Sequence, residues 1–160
     1  MRKGVAAGKL RPEERRTGRL AEPLACKRCG AVFRKRAWRR GAMSRELRAA
    51  VAWVVCPACE QQANQTYLGR LVIDLGRSFP EETALRQRIA NVAAAAGRTQ
   101  PARRVVSVER RGPTLEVLTT SEKLAHRITA ELAKVWRGTA TYTWSDDGSL
   151  FARWRPGRSA

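Results

Sequence analysis

Four cysteines carry the clearest chemistry in this sequence. They stand as Cys26-Lys27-Arg28-Cys29-Gly30 and Cys56-Pro57-Ala58-Cys59, two C-x-x-C pairs with 26 residues between Cys29 and Cys56. Each pair spaces two thiolates so that both reach one ion, and Gly30 supplies the positive φ that lets backbone amides approach sulfur. Four thiolates close a tetrahedral site with no open coordination position. The spacing therefore predicts one structural Zn2+ on Cys26, Cys29, Cys56 and Cys59. Such an ion contributes folding energy to a unit too small for its own core, and it is not expected to activate water. Two disulfides would need an oxidising compartment. A redox pair would need only one of the two motifs, and an iron–sulfur cluster would draw on the same thiolates.

Between the pairs runs Phe33-Arg34-Lys35-Arg36-Ala37-Trp38-Arg39-Arg40, in which five cations surround one tryptophan. On a loop held by a metal, that composition suits phosphate neutralisation, with Trp38 stacking on a base or sugar. The plainer alternative is a solvated basic loop with Trp38 packed on the metal-bearing unit. Lys27 and Arg28 in the first pair, and Arg15, Arg16 and Arg19 near the N-terminus, extend the candidate RNA-binding set. Nothing comparable points to catalysis. The single histidine, His126, has no serine, aspartate or paired carboxylate near it in sequence. Asp146-Asp147-Gly148 reads as turn chemistry, and no phosphate-cradling or dinucleotide-binding loop is present. The expectation is a non-enzymatic protein with no small-molecule substrate.

The whole chain agrees with a polyanionic partner. Its 160 residues carry 32 Lys+Arg against 14 Asp+Glu, a net charge of +18. A field this positive gathers nucleic acid or anionic membrane. The longest apolar runs, Val51 to Val55 and Ala93 to Ala96, fall far short of the roughly 20 residues of a membrane span. The basic N-terminus is followed by too short an apolar stretch for a secretory signal. A soluble cytoplasmic protein without a membrane partner is expected. Residues 1–70 hold 17 basic and 5 acidic side chains, residues 71–160 hold 15 and 9, so the anion-binding surface is placed in the first part. Arginine outnumbers lysine 26 to 6, which suits bidentate phosphate contact and equally reflects a GC-rich genome.

Three segments must position these groups. Residues 1–22 are basic, broken by Gly4, Gly8, Pro12 and Gly18, and predict a flexible tail. Residues 23–68 hold the cysteines and predict a zinc ribbon, with Trp53 in its core. Residues 69–160 predict an α+β unit of order β-α-β-β-α-β-β, an antiparallel sheet with two helices on one face. Its strands are read at Leu71 to Leu75, Arg104 to Arg110, Leu115 to Leu118, Thr139 to Trp144 and Leu150 to Trp154. The first helix opens at Phe79-Pro80-Glu81-Glu82 and stops at Gly97. The second opens at Ser121, buries Leu124, Ile128, Leu132 and Val135, and ends at Gly138. Trp144 and Trp154 are expected to pair across the last hairpin.

The joined order of these parts resembles a known family. Cys26-Lys27-Arg28-Cys29-Gly30, then Trp38, then Cys56-Pro57-Ala58-Cys59, resembles the N-terminal zinc module of small bacterial proteins related to the large-subunit export adaptor, the NMD-three family. Gly112-Pro113-Thr114-Leu115-Glu116-Val117-Leu118-Thr119-Thr120-Ser121, followed by Lys123-Leu124-Ala125, is similar to the family's strand, threonine/serine turn and helix. Lys123 stands where family members often have histidine. The resemblance covers roughly residues 24–155. It implies binding to ribosomal RNA on the subunit-joining face of the large subunit, near the tRNA sites, with ribosomal proteins as further contacts. A bacterial protein in that place would silence idle ribosomes as a hibernation or stress factor, or act in large-subunit assembly. A DNA-binding zinc-ribbon regulator is the other reading, although the basic residues do not line one recognition helix.

Overall fold

The computed structural model describes residues 6–14 and 21–157. Short elements come first: β1 (Gly8–Lys9), a 3-10 turn (Pro12–Glu14), β2 (Leu24–Cys26), β3 (Val32–Arg34), β4 (Ala37–Arg39), α1 (Arg45–Ala50), β5 (Ala52–Val54), α2 (Pro57–Asn64) and β6 (Thr66–Tyr67). Longer ones follow: β7 (Gly69–Asp74), α3 (Glu82–Thr99), β8 (Val105–Arg111), β9 (Thr114–Thr119), α4 (Glu122–Trp136), β10 (Thr139–Trp144) and β11 (Leu150–Arg155). The chain is α+β, and from β7 onward the order is the expected β-α-β-β-α-β-β.

Alternation along the long strands sends Leu71 and Ile73, Leu115 and Val117, and Ala152 and Trp154 to one face of a five-stranded sheet. Helices α3 and α4 cover that face with Leu85, Ile89, Val92, Leu124, Ile128 and Leu132, all buried. Ser121 caps α4, its hydroxyl accepting from the Lys123 N–H at 3.2 Å. Val135 is 54% exposed, one position past the buried stripe. Helix α3 runs through Gly97 to Thr99 rather than stopping there.

The sheet is mixed, not antiparallel. Its order is β10-β11-β7-β9-β8, and β11 lies parallel to β7. The reason lies in the last hairpin. β11 carries the alternating core residues Leu150, Ala152 and Trp154, whereas β10 presents Thr139, Thr141 and Thr143 to solvent. The apolar strand takes the interior slot and the polar one the edge. The same pairing corrects the tryptophans: Trp154 opposes Ala140 and Trp144 opposes Leu150. Trp154 is fully buried and donates its indole N–H to the Arg137 carbonyl at 2.9 Å, while Trp144 is 55% exposed. Gly138 makes the return from α4 possible, with φ +98°, since a Cβ there would meet the Arg155 carbonyl.

A smaller sheet of order β4-β3-β2-β5 carries the cysteine unit. Ala25, Val32 and Val51 pack on one of its faces, with Met43 and Leu47 against them. Trp53 lies on edge strand β5 and is 47% exposed, so the core placement expected for it does not hold. A three-residue edge strand opposite Ala25 offers nothing large enough to enclose an indole.

Part of the expected tail is paired. Strand β1 runs parallel to β6, with Gly8 N–H donating to Gln65 O and Leu10 N–H to Tyr67 O, both at 2.8 Å. Lys9 Nζ meets Asp147 at 2.6 Å. Main-chain pairing to an open edge needs no apolar face, which is why hydrophobic patterning gave no sign of it. Arg15, Arg16 and Arg19 lie outside the described residues.

Candidate metal centre and basic hairpin

The four cysteines converge. Cys26 closes β2 and Cys29 ends the following turn, where the Gly30 N–H donates to Cys26 O at 2.9 Å and Gly30 adopts φ +75°. The second pair is not in a hairpin of its own. Cys56 is the N-cap of α2, Pro57 the first helical residue, and Cys59 lies in the first turn. Pro at that position and the helix formers that follow, Ala58 and Glu60 to Ala63, account for this.

Cys26 and Cys59 Sγ are 3.8 Å apart, as are Cys29 and Cys56 Sγ, and all four sulfurs lie within 4.8 Å of one another. None is in a disulfide. Metal–sulfur bonds of about 2.3 Å place the corners of a tetrahedron about 3.8 Å apart. Two of the separations match that spacing, and the cluster of four thiols could hold one metal ion. Backbone N–H groups point at the sulfurs: Arg28 and Cys56 at Cys26 Sγ (3.4 and 3.3 Å), and Cys59 at Cys56 Sγ (3.4 Å).

Electrostatics favour a cation here. Burial works to raise the Cys26 thiol, yet the N–H groups of Cys29, Cys56 and Arg28 outweigh it and bring the group down to about 6. Cys56 is pushed up by burial, and the charges of Cys29 and Cys26 add to that. Cys59 is pushed up by burial too, against the opposing pull of Arg104. Four crowded sulfurs cannot ionise together without positive charge among them.

Part of that charge comes from the other unit. Arg104, just before β8, reaches Cys59 Sγ at 3.1 Å and Cys56 Sγ at 3.7 Å, and bonds Gln62 Oε1 at 3.3 Å. Burial alone would lower its affinity for the proton, but the sulfurs of Cys29 and Cys59 hold it firmly charged. Its Nε donates to Pro101 O at 2.7 Å, and its backbone N–H to Thr120 Oγ1 at 2.9 Å. Beside it, Gln61 donates to Thr120 O and Gln62 to Val105 O, at 3.1 and 3.0 Å. Neither spacing nor charge runs in the sequence mark Arg104, which lies 45 residues beyond Cys59.

No family profile, curated protein or solved structure matches this chain. The remaining site residues are therefore read from their own surroundings.

The basic segment forms the β3–β4 hairpin. Its two-residue turn is Lys35-Arg36, with φ +50° and +61°, the left-handed region where Asn-Gly is the usual choice. The Glu22 carboxylate accepts both N–H groups, Lys35 at 3.1 Å and Arg36 at 2.8 Å. Arg34, Lys35, Arg36, Arg39 and Arg40 are all exposed, as are Lys27 and Arg28 in the first cysteine turn. Trp38 is half-buried. It packs on the cysteine cluster and on Phe33, with ring centroids 5.4 Å apart.

Many arginines of the larger unit are held in ion pairs. Arg70, Arg86, Arg88, Arg110, Arg111, Arg153 and Arg155 all pair with carboxylates. Among the described residues, the side chains of Lys27, Arg28, Arg34, Lys35, Arg36 and Arg39 make no ion pair, and Arg40 donates to the Gly97 carbonyl at 3.0 Å. His126 is exposed and lies against the Tyr142 ring, 4.8 Å between centroids. Asp147 accepts from the N–H and hydroxyl of Ser149 (3.0 and 2.7 Å), as a turn residue does.

Proposed function

We propose that this chain is a non-enzymatic, zinc-containing ribosome-associated factor of the cytoplasm. It binds ribosomal RNA on the subunit-joining face of the large subunit near the tRNA sites and silences idle ribosomes. The observation that carries the RNA-binding part is the cluster of cations without ion pairs on the cysteine unit. Lys27 and Arg28 on its first turn, and Arg34, Lys35, Arg36 and Arg39 on its hairpin, are exposed and make no side-chain ion pair among the described residues, whereas in the larger unit seven arginines pair with carboxylates and the exposed Arg77, Arg98, Lys123, Arg127 and Arg137 are scattered over separate elements. Four clustered cysteine sulfurs suit zinc, which would hold that surface in shape rather than catalyse. Placement on the large subunit rests on the resemblance of the cysteine motifs, Trp38 and the Gly112–Ser121 segment to the export-adaptor family. A protein seated at the tRNA sites excludes tRNA by occupancy alone.

Sedimentation with separated subunits and joined ribosomes, at low and moderate salt, tests this. Salt-resistant binding to the large subunit and to joined ribosomes is the expected result. Binding to free large subunits alone would replace silencing with assembly. Binding to every particle, lost together as salt rises, would overturn the reading and favour a general nucleic-acid or DNA-binding protein.

A further inference from the structure

A cleft of about 410 Å3 opens between the β3–β4 hairpin and the C-terminal end of α3. Arg36, Trp38 and Arg39 line one wall, and Thr99, Gln100 and Ala102 the other. Its size falls within the roughly 300–1,000 Å3 of small-ligand sites. Arg40 Nε ties the hairpin to α3 through the Gly97 carbonyl at 3.0 Å, and Glu22 braces the hairpin turn at Lys35 and Arg36. Two left-handed non-glycine residues in succession are costly backbone, kept only where the surroundings determine it. Here that backbone forms the tip of the hairpin, from which Arg36 lines the cleft beside Trp38.

The groups in the cleft are of three kinds. Trp38 is a planar aromatic surface whose other contacts, Phe33 and the cysteine cluster, fix its ring. The Arg36 and Arg39 side chains carry charge and make no ion pair among the described residues. The Gln100 side chain is exposed and makes no hydrogen bond among them, so it offers both a donor and an acceptor. A phosphate alone would not use the indole, and an apolar ligand would not use the guanidinium groups. A nucleotide uses all three.

We infer that this cleft takes one unpaired nucleotide of a looped or single-stranded RNA, its base against Trp38, its edge at Gln100, and the flanking phosphates on Arg36 and Arg39. This rests on the RNA-binding reading above and narrows it. A base inside a duplex has both faces stacked and its pairing edge occupied, so it cannot enter; unpaired bases splayed onto aromatic side chains are the common mode of RNA recognition.

The test uses the full, metal-loaded chain and fluorescence anisotropy. The probes are a short labelled RNA without self-complementarity, the same strand annealed to its complement, and a duplex DNA of equal length. The single strand is expected to bind about tenfold tighter than either duplex, and Trp38→Leu to lose about tenfold in affinity for it. Ala102→Trp, an exposed change on the opposite wall, leaves Trp38 in the sequence, fills the cleft against it and is expected to cost as much. Arg36→Gln with Arg39→Gln lowers the slope of log affinity against log salt by about 1.4. Circular dichroism and a one-metal stoichiometry check each fold, and Ala102→Trp decides if Trp38→Leu does not fold. Equal affinity for strand and duplex, tighter binding of the DNA duplex, or an Ala102→Trp protein that binds like wild type overturns the cleft assignment. Should ribosomal sedimentation persist in that case, the broader reading stands without the cleft; loss of both overturns both.

Discussion

At the scale of single residues, Arg104 changes what the cysteine cluster is. Four thiolates around a divalent ion leave two negative charges in a largely buried place, and Arg104 sets one positive charge against them at hydrogen-bond distance from Cys59. It does so from the neighbouring unit, braced by Pro101, Thr120 and Gln62. Partners of metal ligands typically contribute 10–100-fold to affinity. Arg104→Gln is therefore expected to hand its metal to a colorimetric chelator at least about tenfold faster. Arg104→Lys keeps the charge but not the fork that spans two sulfurs, so it should fall between the two. An unchanged release rate in the Gln variant would reduce Arg104 to a surface contact. Cys59→Ser removes a ligand outright and should abolish one-to-one metal binding.

At the scale of elements, the β3–β4 hairpin trades stability for the charge on its tip. Left-handed backbone costs roughly 1–2 kcal/mol per non-glycine residue, and Glu22 offsets part of that by accepting both turn N–H groups. Lys35→Asn with Arg36→Gly installs the favoured turn. The pair should raise stability by about 1 kcal/mol, read as a higher midpoint of chemical denaturation, while weakening RNA binding and its salt dependence. Glu22→Gln should do the opposite for stability. How far such elements were legible varies with their physics. Helix α4 was readable because Ser121 marks its start and Leu124, Ile128 and Leu132 recur on one face. The order from β7 to β11 followed from alternation bounded by Gly and Pro. Strand direction did not, because side-chain alternation looks the same in parallel and antiparallel pairs; only the relative polarity of β10 and β11 hinted at which would lie inside. The convergence of the cysteines was legible from spacing, but placement of the second pair on α2 needed Pro57 to be read as a helix start. Arg104 and Glu22 act across sequence separations that no local pattern encodes.

At the scale of the molecule, two cores stand side by side and answer to different forces. The five-stranded unit encloses Trp154, Leu71, Ile73, Leu85, Ile89, Leu115, Leu124, Ile128 and Leu132. In the cysteine unit the buried clusters are Cys26, Cys56, Ala58 and Cys59, and Ala25, Val32 and Val51, together too little apolar surface to hold a fold by burial alone. The N-terminal strand adds a third attachment through Lys9 and Asp147. That hydrogen bond, helped by Ser149, holds the Asp147 carboxyl well below the usual carboxylate range. A depressed acid stabilises the fold above its ordinary value of about 4 and loses that contribution as pH falls through its lower folded value. Asp147→Asn should thus loosen β1 at neutral pH, seen as faster proteolysis near Gly8, with the difference from wild type closing only in strong acid. Metal removal separates the two cores more sharply. A strong chelator should strip hydrogen-exchange protection from β2, β3 and α2 while β7, β9 and β11 stay protected, because no core residue of the larger sheet comes from the cysteine unit. Leu124→Ala should do the converse, costing about 2–5 kcal/mol in the larger core with the metal retained. If chelation instead unfolds both units in one transition, the bonds through Gln61, Gln62 and Arg104 are strong enough to make them one cooperative body, and the metal then governs the stability of the whole chain.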